Sequence, residues 1–190
     1  VRRLCDLQAE DGYLGPWPKA ERLRGQWDLW GHYHIIVGLR MWSEQTGDVR
    51  AAEVAEKMAD LVCNTYLDTS RRVIEAGSHE MNMSIITALA QLYRETGKDR
   101  YLRMAREVLK DFEGAGDYYR TGLAGREFYR TPRPRWESLH SIQGLVELYR
   151  ITGDATYRDA FLHHWASIRR FDLRSTGGFS SGEQATGDPF

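Results

Sequence analysis

Three stretches of the chain place apolar residues at helical spacing and close on the same pair of residues. Residues 34–46 carry Ile36, Leu39 and Trp42 on one side, with Val37 and Met41 beside them. Residues 84–96 carry Leu89, Leu92 and Tyr93, and residues 140–152 carry Leu145, Leu148 and Tyr149. Recurrence at three and four residues predicts a helix with one face turned to a core. Each stretch ends in Thr-Gly, with glycine at 47, 97 and 153, so the steps lie 50 and 56 residues apart. Glycine takes the left-handed conformation that terminates a helix at no steric cost, so each helix is predicted to stop there. A second helix is predicted to follow at once, over 49–66, 99–112 and 155–169, with Tyr101 and Tyr157 in matching places near the start of the later two.

No segment alternates like a long strand. The chain therefore reads as all-α, a helix hairpin of roughly 50 residues repeated three times. Residues 11–26, 114–134 and 176–189 are rich in Gly, Pro, Asp and aromatics and read as long loops. Hairpins of this kind build either an open superhelix or a closed α/α toroid. Open superhelices run at regular periods of about 34 to 47 residues with short links. Long aromatic loops favour the toroid, whose loops crowd one rim and build a site there. Six hairpins close such a ring, so residues 1–190 are expected to be one segment of a larger (α/α)6 catalytic domain, about half a barrel. The chain opens at Val1 without an initiator Met and stops at Phe190 just after a Gly-rich run, and it is expected to be an excerpt of a longer protein.

Composition narrows the classes. With 42% apolar and 28% charged residues, the chain is an ordinary folded protein. The 26 Lys and Arg against 27 Asp and Glu leave no basic excess for nucleic acid or an anionic membrane. No apolar run approaches the roughly 18 residues of a membrane span. No targeting pattern is present, so the localisation reading leans to the cytoplasm without being decided. Two cysteines, Cys5 and Cys63, form neither a disulfide framework nor a four-cysteine metal site, and Cys63 falls on an apolar helix as a core residue. Six Trp and ten Tyr exceed what a core of this size needs and point to a ligand.

Candidate chemistry follows the repeats. His34 and His140 hold the same place in two of them. Ser84 holds it in the third, with His79 just upstream in Gly77-Ser78-His79-Glu80-Met81-Asn82. In a toroid such positions converge on one rim, although each histidine alone serves equally as a helix-start packing group. His32 belongs to the same loop region, and His163 and His164 read as ordinary mid-helix residues. The spacing matches no compact zinc motif, and no metal site is expected within this segment. Glu183 closes the run Thr176-Gly177-Gly178-Phe179-Ser180-Ser181-Gly182-Glu183. A carboxylate on such a run can be brought against a glycosidic bond as general acid/base, and a solvated loop glutamate is the plain alternative. Trp17, Trp27, Trp30 and Trp136 lie in or beside loops, where an indole stacks on a sugar ring or pins the loop to the core.

On Trp27-Asp28-Leu29-Trp30-Gly31-His32-Tyr33-His34-Ile35-Ile36, the 77–82 motif, His140 at its helix opening and the 176–183 run, the chain resembles glycoside hydrolase family 127, the β-L-arabinofuranosidases. The resemblance implies an (α/α)6 toroid followed by β-sandwich domains. It implies a retaining reaction on a terminal L-arabinofuranoside, with a zinc-bound cysteine thiolate as nucleophile. Glu183 matches the acid/base, and His34, His79 and His140 match substrate-contacting histidines; His34 is preferred over His32 because it directly precedes the apolar helix. Trp27 and Trp136 are the candidate apolar walls for the substrate. Zinc is implied for the full-length enzyme only. Its ligands, one Glu and three Cys, lie beyond residue 190, so the segment is not expected to be competent alone. The implied partner is a carbohydrate, with a second copy of the chain a further candidate. The 116–136 loop departs from the family pattern. Two readings compete: a metal-free toroid enzyme such as an unsaturated-uronyl hydrolase, using Asp28 or Asp117, and a non-catalytic helical-repeat module holding a peptide in its groove.

Overall fold

The computed structural model describes residues 1–179 and 182–188. Ser180 and Ser181 of the Gly-rich run, with Pro189 and Phe190, lie outside the described residues. A short α1 (Arg2–Asp6) precedes three hairpins. They pair α2 (Asp28–Thr46) with α3 (Val49–Tyr66), α5 (Ile85–Thr96) with α6 (Asp99–Asp111), and α8 (Ser138–Thr152) with α9 (Ala155–Phe171). Between them lie α4 (His79–Asn82) and α7 (Tyr118–Leu123).

The repeated Thr-Gly has a physical basis at each hairpin corner. Gly47, Gly97 and Gly153 are left-handed, with φ of 74°, 68° and 72°. Each sends its N–H back 2.8 Å to the carbonyl of Ser43, Tyr93 or Tyr149. The preceding Thr46, Thr96 and Thr152 hydroxyls donate to the carbonyls of Trp42, Leu92 and Leu148 at 2.7 to 2.8 Å. The same oxygens accept the N–H of Asp48, Lys98 and Asp154 at 3.2 to 3.3 Å. One hydroxyl thus closes the first helix and starts the second. Asp48 and Asp154 then cap α3 and α9 through their carboxylates.

The first helices of the hairpins form an inner row. α5 packs between α2 and α8, and behind this row α3 packs on α6. Ile85, Ile86, Leu89 and Leu92 of α5 are buried, as are Ile36 and Leu39 of α2 and Leu145 and Leu148 of α8. A Cβ on Gly144 would lie 2.5 Å from Cγ2 of Ile86, so glycine is what lets α8 approach α5 this closely. Ala51, Ala55, Met58, Ala59 and Val62 give α3 its buried stripe. No described helix is long and apolar enough to cross a membrane.

Three differences from the periodicity stand out. α2 begins at Asp28 rather than at residue 34, which moves His34 into its second turn. α8 begins at Ser138, with His140 in its first turn. The 114–134 segment is not simply a loop, because it folds α7 and a 3₁₀ turn over Phe128–Arg130. Tyr118 and Phe128 are fully buried there. The Tyr118 hydroxyl donates to Arg133 O at 2.7 Å, and Phe128 N donates to Ser167 Oγ at 2.8 Å. Elements this short carry too few turns for a period to register. Among the described residues there is no strand, only an antiparallel bridge between Arg135 and Gln184.

Candidate active site

The three first helices run in the same direction, so their N-terminal ends gather at one rim. Asn82 ties that rim together. It is fully buried, and its Oδ1 accepts the N–H of Trp30 at 3.1 Å. Its Nδ2 reaches the carbonyls of Gln26, Ala76 and Gly77 at 3.1, 3.3 and 2.7 Å. One amide therefore joins the end of α4 to the start of α2. On the other side, Ser141 Oγ donates to Glu80 O at 3.1 Å, and Thr87 Oγ1 donates to His140 O at 2.6 Å. These bonds lock α8 against α4 and α5.

His34 and His140 come together on this rim, with ring centroids 5.3 Å apart. Trp30 meets both edge-on, at 4.3 and 5.0 Å. The Tyr33 hydroxyl lies 2.9 Å from His140 Nδ1 and fixes the orientation of that ring. His34 keeps an exposed side, yet the surrounding rings strip enough water to hold its pKa below the ordinary imidazole value. His140 is held down by burial first and then by repulsion from His34. Both are therefore neutral at neutral pH, and a neutral imidazole offers one donor and one acceptor.

His79 opens α4 and is half-buried. Its Nδ1 sits 2.8 Å from Ile74 O. A carbonyl only accepts, so this nitrogen carries the proton and Nε2 is left as an acceptor. Among the described residues His79 makes no ring contact with the His34–His140 pair. His32, by contrast, is buried, with Nδ1 3.1 Å from Asp28 O.

Glu183 is placed by backbone pairing. Trp136 N donates to Glu183 O at 3.3 Å, and Ala185 N donates to Pro134 O at 2.7 Å. Trp136 Nε1 donates to Gly182 O at 2.9 Å, and its ring stacks on Phe179 at 4.9 Å and 16°. Trp136 thus pins the Gly-rich run beside the residues that lead into α8. The Glu183 side chain is 81% exposed and meets Arg135 Nη2 at 3.0 Å. Trp27 is also exposed, and it lines a cavity of about 270 Å³ with Leu14, Pro16, Trp17 and His32. Asp28, Gly31, His32 and Ile35 form the α2 side of that cavity, the opposite face from Trp30 and His34.

Pattern reading did not assign Tyr33, Asn82, Glu80 or Arg135 a role. Glu80 is buried between Arg133 and Arg135. The two carboxylates that a metal-free hydrolase would use are both engaged. Buried Asp28 accepts from the Tyr13 hydroxyl at 3.0 Å and from Leu23 N at 2.7 Å. Asp117 precedes α7 with φ of 50° and pairs with Arg120 at 3.0 Å.

For a metal, no group of three or more His, Cys, Asp or Glu among the described residues could hold an ion. Burial pushes the Cys63 thiol up to about 12, which leaves it protonated and a poor ligand or nucleophile. The described residues supply no such site, and the resemblance places its ligands beyond residue 190.

Helix hairpins gathered around histidines on one rim are the architecture of an α/α-toroid domain. The whole chain, residues 1–190, matches the description "β-L-arabinofuranosidase, GH127 catalytic domain". The chain belongs to that family. It is 24% identical over 234 aligned positions to a non-reducing end β-L-arabinofuranosidase of Bifidobacterium longum subsp. longum, covering 99% of this chain and 35% of the relative. In fold it is similar to a GH127 β-L-arabinofuranosidase from Geobacillus stearothermophilus T6, with a TM-score of 0.68 at 20% identity over 97% of this chain and 33% of the other. It is similar also to the GH127 β-arabinofuranosidase BT3674, with a TM-score of 0.64 at 22% identity over 96% and 31%. The chain thus spans about a third of the length of these relatives.

Proposed function

We propose that the whole protein is a retaining glycoside hydrolase acting on terminal L-arabinofuranosides, and that this segment supplies its acid/base and part of its sugar-binding rim. The observation that carries the reading is the bridge of the Glu183 run to residues 134–136, directly ahead of the helix whose His140 lies against His34. The names of the relatives point the same way. Glu183 donates its proton to the glycosidic oxygen as the leaving group departs, and then takes a proton from the water that completes hydrolysis. His34 and His140, both neutral, pair with ring hydroxyls as donor and acceptor. His79 offers Nε2 as an acceptor from a neighbouring segment. Trp27 faces the cavity on the other side of α2 and is given no part in this rim, whereas Trp136 serves the site through the run it pins. The zinc and cysteine nucleophile implied by the resemblance have no ligand set among the described residues, and no step assigned to this chain passes through them.

The test is Glu183→Gln in the full-length protein. The expected outcome is a loss of about 10²- to 10⁴-fold in kcat/KM on an alkyl β-L-arabinofuranoside, the usual contribution of a positioned general acid. Unchanged hydrolysis would remove Glu183 from the mechanism.

A further inference from the structure

Arg135 stands at the meeting point of three carboxylates drawn from separate parts of the chain. Its Nε lies 3.0 Å from Glu80 Oε1, an ion-pair distance without the alignment of a hydrogen bond. Its Nη2 lies 3.1 Å from Glu137 Oε1 and 3.0 Å from Glu183 Oε2. An Nη nitrogen carries two hydrogens, one for each of these last two partners. Glu80 is the buried member, with 8% of its side chain exposed, and Arg133 Nη1 closes its other oxygen at 3.3 Å. A buried carboxylate so placed demands its cations and fixes where they stand. The guanidinium is planar, so anchoring one edge on Glu80 sets the direction of the other. The backbone repeats the arrangement: the residues on either side of Arg135 bond to Glu183 O and to Ala185 N.

We propose that Arg135, aimed by buried Glu80, is a positioning residue for Glu183, holding an otherwise solvent-exposed carboxyl in the direction its proton must travel. The inference rests on the acid/base reading of Glu183. It goes beyond it by linking that group to the α4 segment that carries His79 and to the residues that precede α8. A half-exposed ion pair contributes little to stability in water, so the consequence lies in direction. A general acid must be held within hydrogen-bond reach of the leaving oxygen, and a displacement of about 1 Å costs about 100-fold.

The experiment compares kcat/KM on methyl and p-nitrophenyl β-L-arabinofuranosides for the full-length enzyme, Arg135→Gln, Arg135→Lys and Glu183→Gln. A nitrophenolate leaves without protonation, whereas methanol requires it. The expected result for Arg135→Gln is about a 100-fold loss on the methyl glycoside with less than about a fivefold loss on the nitrophenyl one. Arg135→Lys, which keeps the charge but not the fork, should recover part of that loss. Because Arg135→Gln strips a cation from buried Glu80, the double variant Glu80→Gln/Arg135→Gln keeps the net charge of the cluster unchanged if the single variant does not fold, and the same leaving-group signature is expected of it. Equal losses on both substrates, or none, while Glu183→Gln remains selective for the methyl glycoside, would overturn the positioning role alone. A Glu183→Gln enzyme with no selective loss would overturn the acid/base reading and this inference with it.

Discussion

The hairpin frame and the rim above it fill their interiors differently. In the frame, Ile85, Ile86, Leu89 and Leu92 of α5 sit among apolar neighbours, and each contributes area and shape. At the rim, buried polar residues stand among the apolar ones, and Asp28, Glu80 and Asn82 each contribute specific bonds. Those bonds span long stretches of chain: Asn82 to Gln26, Glu80 to Arg133, Arg135 to Glu183. Apolar burial is non-directional and tolerates exchange of like for like, whereas a buried polar atom has partners of one kind only. A frame of this sort can hold its shape while its rim is rewritten.

The sharpest way to break that comparison is a pair of near-isosteric substitutions. Leu89→Met keeps volume inside the frame and should cost less than about 1.5 kcal/mol. Asn82→Asp also keeps volume, but it sets a carboxylate against the carbonyls of Gln26, Ala76 and Gly77 where an amide donated. A buried charge with one oxygen facing only acceptors, and the other keeping only the Trp30 N–H, should cost about 3 to 5 kcal/mol. Urea unfolding of the full-length protein compares the two. Equal costs would mean that the rim is no more exacting than the frame.

The same contrast decides what was legible beforehand. Val49–Tyr66 of α3 and the Thr-Gly corners were readable because period and capping chemistry are local. His34 and His140 were legible as a pair because the repeat carries them to equivalent places, and the structure brings their rings together. The early start of α2 was hidden because Trp27 and Asp28 lie in a stretch dense with turn residues. Asn82 stood inside the 77–82 motif and Arg135 next to Trp136, yet nothing in a linear pattern says that one amide will reach residue 26 and one guanidinium residue 183. Long-range polar pairing has no period.

His164 carries the comparison into the frame itself. It lies on α9, fully buried, and its Nε2 donates to Tyr118 O at 2.7 Å. Its Nδ1 is buried without a hydrogen-bond partner, so the neutral ring fits and a second proton does not. Burial lowers its pKa from 6.5 to about 4. The unfolded chain then binds a proton that the folded one refuses between those two values. The contribution of this ring is fully present above about pH 6.5 and is lost as pH falls toward 4, by about 2 to 3 kcal/mol at about pH 4.5. His34 and His140, also held below their usual value, act in the same direction. The measurement is therefore the difference in acid slope between the wild type and His164→Gln. Parallel slopes would show that this ring is not the acid-sensitive point of the frame.

The smallest effects concern the left-handed backbone, which the two regions also populate differently. The frame places glycine at each hairpin corner, whereas the rim places Leu23, Gln26 and Ser78 at φ of 57°, 55° and 40°. A side chain in this region carries a steric cost of roughly 1 kcal/mol that glycine escapes. Gly153→Ala should therefore destabilise the third hairpin by about 1 kcal/mol. Ser78→Gly should do the reverse. Its side chain makes no capping bond to α4, while its carbonyl, which any residue keeps, accepts from Met81 N and Asn82 N. A gain of up to about 1 kcal/mol is expected from relief of strain, offset in part by the greater entropy glycine has in the unfolded chain. Thermal melting of the two variants of the full-length protein reads both signs. If Ser78→Gly lowers Tm as Gly153→Ala does, the serine side chain is holding the turn before His79, and the rim's left-handed residues are bonded into place rather than strained.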